Sequence, residues 1–139
     1  FASYINPFIY LILLLIMPFK TPKWFLLFYA FTIGFLIDLF SGNLGMHSTA
    51  CLLIALLKDS VSKITIPHNI IEENDELTIQ KIGGKSFGLF SVILIFIHHL
   101  TLFILEHASF DFLILLKVVL STLITSIIIS VTQLFFYKV

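Results

Sequence analysis

From Ser86 to Leu105 the chain runs for 20 residues without one Asp, Glu, Lys or Arg. About 20 apolar residues is the length of helix that crosses a hydrocarbon core, at roughly 1.5 Å per residue. The same criterion predicts spans at Phe1–Phe19, which has Pro7 and Pro18 near its ends, and at Trp24–Phe40. Phe112–Tyr137 is longer than a crossing needs and is expected to tilt. Met46–Leu57 is short, and crosses only with tilt or with help from its flanks. Composition agrees with a membrane solvent. Only 12% of the residues are charged, where a soluble domain of this size needs roughly 25% to cover its surface. The expected fold is therefore all-α: a polytopic integral-membrane helix bundle of five spans, one domain over residues 1–139. Phe1 opens inside an apolar run with no basic segment or cleavage site, so it does not read as a signal peptide. A further helix is expected to precede it, making six.

The lysines orient this bundle. Lys20 and Lys23 lie between the first two spans; Lys58, Lys63, Lys81 and Lys85 lie between the third and fourth; Lys138 follows the fifth. Retention of lysine on the cytoplasmic side makes 58–85 a cytoplasmic loop and places the lysine-free turns 41–45 and 106–111 outside. It also makes the short third segment a true crossing, since the lysines would otherwise be split. Lys117, inside the last helix, is the exception and is expected to snorkel. The loop carries "EENDE" at 72–76, four acids in five residues. It reads as a solvated segment before it reads as a docking site or a catalytic element. The chain has no Arg and a formal net charge of zero, so it has no basic patch for nucleic acid. Its lone cysteine, Cys51, excludes an internal disulfide and reads as a small buried apolar residue.

An ionisable residue at the bilayer centre costs at least about 2.5–3.5 kcal/mol, so each one needs a reason. Ala30, Gly34 and Asp38 recur every four residues and share a helix face, on which small side chains admit a second backbone. Asp38 then stands at the end of that contact. It can accept hydrogen bonds from the turn Ser41–Asn43 or pair with His47 or His99. On the fourth span Gly88, Ser91, Ile95, His99, Leu102 and Glu106 form one stripe, while His98 points about 100° away. Asp38, Asn43, His47, His99 and Glu106 all fall in the outer half of the predicted topology. A structural hydrogen-bond network is the leading reading. A proton or cation path and a metal site built from His47, His98, His99 and acids are the alternatives. The spacing is not a metal signature: adjacent histidines on a helix do not easily reach one ion, and HExxH is absent. Thr122, Ser126 and Ser130, bordered by Ser121 and Thr125, read as a packing face. No nucleophile–base pair, phosphate loop or dinucleotide motif occurs, so neither an enzyme nor a cofactor is expected.

The stretches "YINPFIYLILLLIMPFKTPKW" and "GFLIDLFSGNLGMHSTACLLIAL" resemble the rod shape-determining protein MreD family. The matching positions are Tyr4, Asn6, Pro7, Pro18, Phe19, Gly34, Asp38, Phe40, Gly45 and His47. "HHLTLFILE" at 98–106 is similar to the family's fourth-span pattern. The family often has Arg after the short third span; Lys58 stands there here, and lysine loses the bidentate geometry of a guanidinium. The resemblance implies a non-enzymatic, cofactor-free inner-membrane component of the elongasome. It would bind MreC directly and, through it, link the MreB filament to RodA and its transpeptidase. Gly45, Lys58, His98 and Glu106 join Asp38, Asn43, His47 and His99 as candidates for structural or partner contacts. The family is also similar in fold to the substrate-binding S-components of vitamin transporters, which supplies an alternative function as a small-molecule carrier.

Overall fold

The computed structural model describes residues 10–18, 20–42, 45–67, 69, 76–108 and 111–136. Every regular element among them is helical: α1 Leu11–Leu15, α2 Lys23–Ser41, α3 Met46–Thr65, α4 Ile79–Ile82, α5 Gly84–His107 and α6 Phe112–Phe136. Three of these, α2, α5 and α6, are long and apolar enough to cross a membrane. That is the signature of a helical membrane protein.

The helix ends follow local chemistry. Pro22 sets φ −56° immediately before α2, which suits a first turn whose amides have no intrahelical partner. Gly42 ends α2 at φ 73° and returns its amide to the Asp38 carbonyl; Gly45 opens α3 at φ 82°. Both values lie in the left-handed region, where only glycine is free of a Cβ penalty. These two glycines reverse the chain between α2 and α3. α5 ends on Ala108 at φ 53°, whose amide reaches the Ile104 carbonyl.

Two expected boundaries are corrected. The first apolar run was expected as helix through to Phe19, but α1 stops at Leu15. Pro18 disfavours helical geometry in the residue before it, and three carbonyls at this end find partners elsewhere. Ile16 O accepts from Leu77 N at 3.1 Å, Met17 O from Lys58 Nζ at 2.7 Å, and Pro18 O from Thr21 N and Oγ1. The expected start of that run, Phe1 to Ile9, lies outside the described residues. The third segment was expected to end at Leu57, but α3 continues to Thr65. The first eight residues of the stretch read as loop 58–85 are therefore helix. At 20 residues α3 is about 30 Å long, although Lys58, Asp59 and Lys63 keep its second half polar.

Packing runs in sequence: α2 on α3, α3 on α5, α5 on α6, with α4 wedged against α5 and α6. Neighbours are antiparallel. Asp38 near the end of α2 meets His47 at the start of α3, while Lys23 at the start of α2 meets Asp59 late in α3. The main core joins Leu11, Leu14 and Leu15 to Leu26, Cys51, Ile54, Phe87, Phe90 and Leu94. A smaller cluster of Phe103, Ile114 and Val118 fills the space between α5 and α6. Outward faces are apolar as well. Trp24, Phe28 and Phe40 on α2, and Leu123, Ile127 and Val131 on α6, are all exposed. In water such faces would be an aggregation hazard; in lipid they contact the solvent that suits them.

Candidate functional site

The site is built on the contact between α2 and α3. Ala30, Gly34 and Asp38 are all buried on the face of α2 that meets α3. At Gly34 the approach is so close that a Cβ would lie 2.5 Å from Ser48 Cα and 2.7 Å from the His47 carbonyl oxygen. One turn later the Asp38 carboxylate reaches the first turn of α3. Oδ1 accepts from the His47 amide and from His47 Nδ1, both at 2.9 Å. Oδ2 accepts from the Ser48 amide at 3.1 Å and from Ser48 Oγ at 2.8 Å.

This geometry explains why an acid is tolerated. The N-cap of α3 is Gly45, which offers no side-chain cap. The amides of His47 and Ser48 are the second and third of the helix, the two that a capping oxygen normally satisfies. Asp38 caps α3 from the neighbouring helix, and its negative charge meets the positive end of the α3 dipole. With four donors on two oxygens and 3% of the residue exposed, the carboxylate is solvated by protein in place of water.

From His47 the polar chain continues inward. The Tyr10 ring stands edge-on to His47 at 6.3 Å and to His98 at 5.7 Å between centroids. Its hydroxyl is 2.8 Å from His98 Nε2 and also shares a hydrogen bond with the Cys51 thiol. The rings of His98 and His99 are edge-on at 5.5 Å. His99 Nδ1 donates to the Ile95 carbonyl at 2.9 Å, and the Thr125 hydroxyl lies 3.4 Å from His99 Nε2. His98 and His99 are fully buried and face different neighbours, Tyr10 and α6, as the 100° offset predicts. The chain of groups starts at the α2–α3 turn. It ends at Thr125, about 20 Å along α6 from Phe112.

Other expected members stand apart. Glu106 is exposed at the end of its stripe and does not join the cluster, because α5 outruns its packing partners there. His99 does not pair with Asp38, whose oxygens are taken by α3. Asn43 lies outside the described residues. Lys58 is buried at the opposite end, where its ammonium caps the carbonyl end of α1 through Met17. Lys23 performs a similar task, donating to the carbonyls of Ala55 and Leu56 and facing Asp59 at 3.5 Å. On α6, Ser121, Thr122, Thr125 and Ser126 are buried as a packing face. Among the described residues the hydroxyls of Thr122 and Ser126 have no hydrogen-bond partner. No three His, Cys, Asp or Glu side chains among the described residues are placed to hold a metal ion.

Sequence reasoning missed three residues. Ser48, whose amide and hydroxyl both donate to Asp38 Oδ2, had no spacing signal of its own. Tyr10 sits in the middle of the cluster, and its only signal was a phenol amid leucines and isoleucines. Gln133 is fully buried near the end of α6. Its Oε1 accepts from the Ile79 amide at 2.9 Å, and its carbonyl accepts from Gln80 Nε2 at 3.2 Å, tying α4 to α6. Comparison with protein-family models, curated proteins and solved structures finds no match for this chain.

Proposed function

We propose that this chain is a non-enzymatic scaffold of the MreD type in the bacterial inner membrane. It would cross the membrane five times over these residues, with the 41–45 turn outside. Its task would be to hold MreC beside the wall-synthesis machinery, and so to couple MreB to RodA and its transpeptidase. The observation that supports this reading is the use made of Asp38. Both oxygens are occupied by donors from α3, so the acid locks two helices together and leaves no open valence for a substrate. Small residues beneath it draw α2 and α3 into backbone contact. The outer faces of α2 and α6 remain apolar and available to lipid or to a partner's membrane helix.

Co-expression with the MreC-type protein of the same organism, followed by purification in lipid nanodiscs and mass spectrometry, tests the proposal. A stoichiometric complex is expected. Failure to capture that protein even after cross-linking in native membranes would overturn the scaffold reading. Stoichiometric recovery of a bound vitamin in its place would favour the carrier.

A further inference from the structure

We propose that the α2–α3 turn is a sunken edge of the bundle. Beside it one leaflet of the bilayer thins by about 7 Å, a depth set by the helical rise per residue, and phospholipids of short acyl chain cover it.

Contacts in the middle of the bundle fix the levels. The Tyr10 ring touches His47 and His98 at once, at 6.3 Å and 5.7 Å between centroids. The start of α3 and the middle of α5 therefore share one depth. Asp38 is at that depth too, bound to His47 at 2.9 Å. From there the helices run on unequally. α2 ends at Ser41, three residues past Asp38, while α5 carries on to Glu106, eight residues past His98. At 1.5 Å per residue these are rises of about 4.5 Å and about 12 Å, a step of about 7 Å. The last helix agrees. Thr125 lies beside His99, and the start of α6 at Phe112 is about 20 Å further toward the α5–α6 turn. At the opposite end there is no such step. Lys23 lies 15 residues before Asp38 and Lys85 lies 13 residues before His98, which is about 22 Å against about 20 Å. The bundle is level on one side and stepped on the other.

Surface chemistry sets the water boundary on that step. Leu39 and Phe40 are exposed at the end of α2, and Ser41 and Gly42 directly after them are exposed too. The last carbonyls of a helix have no intrahelical partner, and in hydrocarbon they would stay unsatisfied. The headgroup boundary on α2 therefore falls at Ser41. On α5 Ile104 and Leu105 are exposed and apolar, and exposed Glu106 and His107 follow, so the boundary there falls at Glu106. A flat leaflet at the height of Glu106 would submerge the end of α2. A flat leaflet at the height of Ser41 would leave Ile104 and Leu105 in water. Tilting the whole bundle would raise Ser41 only by putting Lys23 and Lys85 at different heights on the other face. The leaflet slopes instead. From Lys23 to Ser41 α2 measures about 27 Å, short of the roughly 30 Å of a typical hydrocarbon core, while α5 from Lys85 to Glu106 measures about 32 Å. A bilayer meets a short span by thinning, and short chains thin with the least strain.

Tryptophan quenching in vesicles tests this on the full chain. The quenchers are short-chain dimyristoleoyl and long-chain dierucoyl phosphatidylcholine, each brominated at its double bonds. The single native indole, Trp24, is replaced by Trp24→Phe, and a reporter is introduced by Phe40→Trp or by Leu105→Trp; all three sites are exposed. Expected is a preference for the short chain at position 40 that exceeds the preference at position 105 by at least about threefold. Leu39→Trp, also exposed, replaces Phe40→Trp if that variant does not fold. Preferences at the two positions that agree to within that factor, or a preference for the long chain at position 40, would overturn the proposal.

Discussion

Gly34→Ala is the sharpest probe of how this bundle is closed. The new methyl would lie 2.5 Å from Ser48 Cα and 2.7 Å from Ser48 N and the His47 carbonyl oxygen. All three obstacles are backbone, so no side chain can swing aside. Moving from 2.5 Å to the 3.4 Å at which ordinary contact begins requires α2 and α3 to part by about 0.9 Å. The same residues of α3 are bound to Asp38, at 2.9 Å for the His47 amide and 3.1 Å for the Ser48 amide. An opening of that size takes the longer bond past hydrogen-bond range. Overpacking costs about 1–3 kcal/mol, and loss of a hydrogen bond to a charged group about 1.5–3 kcal/mol. Higher helix propensity returns up to about 1 kcal/mol. The net expectation is a destabilisation of about 2–5 kcal/mol. Reversible unfolding in bicelles measures it, with Gly88→Ala as the control. Nothing lies within 4 Å of a Cβ at Gly88, so that variant should be neutral or stabilised by up to about 1 kcal/mol. If Gly34→Ala unfolds within about 0.5 kcal/mol of the wild type, the close approach and the capping role of Asp38 built on it are wrong.

Asp38→Ala should cost about 1–3 kcal/mol by leaving two α3 amides uncapped, and Asp38→Asn, which keeps one acceptor oxygen, should cost less; unfolding of the pair in the same bicelles checks the order. Lys58→Ala should release the Met17 carbonyl and loosen α1, at about 1–3 kcal/mol, seen as faster amide exchange at Leu14 and Leu15. In a Cys51→Ala background, Glu106→Cys should react with a membrane-impermeant thiol reagent in intact spheroplasts, and Lys81→Cys should not; the reverse pattern would invert the topology.

The apolar runs, by themselves, determined that this chain makes long helices with no aqueous exterior, because nothing else satisfies a backbone in lipid. They located α2, α5 and α6 to within two residues at each end. Four-residue spacing alone singled out Ala30, Gly34 and Asp38 as a contact face, since helical periodicity is a local property. Three matters were settled only in three dimensions. The partner of Asp38 is the first turn of α3, reached because Gly42 and Gly45 fold the chain back on itself; spacing offered His47 and His99 equally. The short third segment gained two turns, because burial of Lys58 against Met17 is a tertiary contact between residues 41 positions apart. Tyr10 entered the cluster for the same reason. Its hydroxyl meets a histidine 88 positions away, and no local pattern encodes which polar tip will meet which once the helices pack.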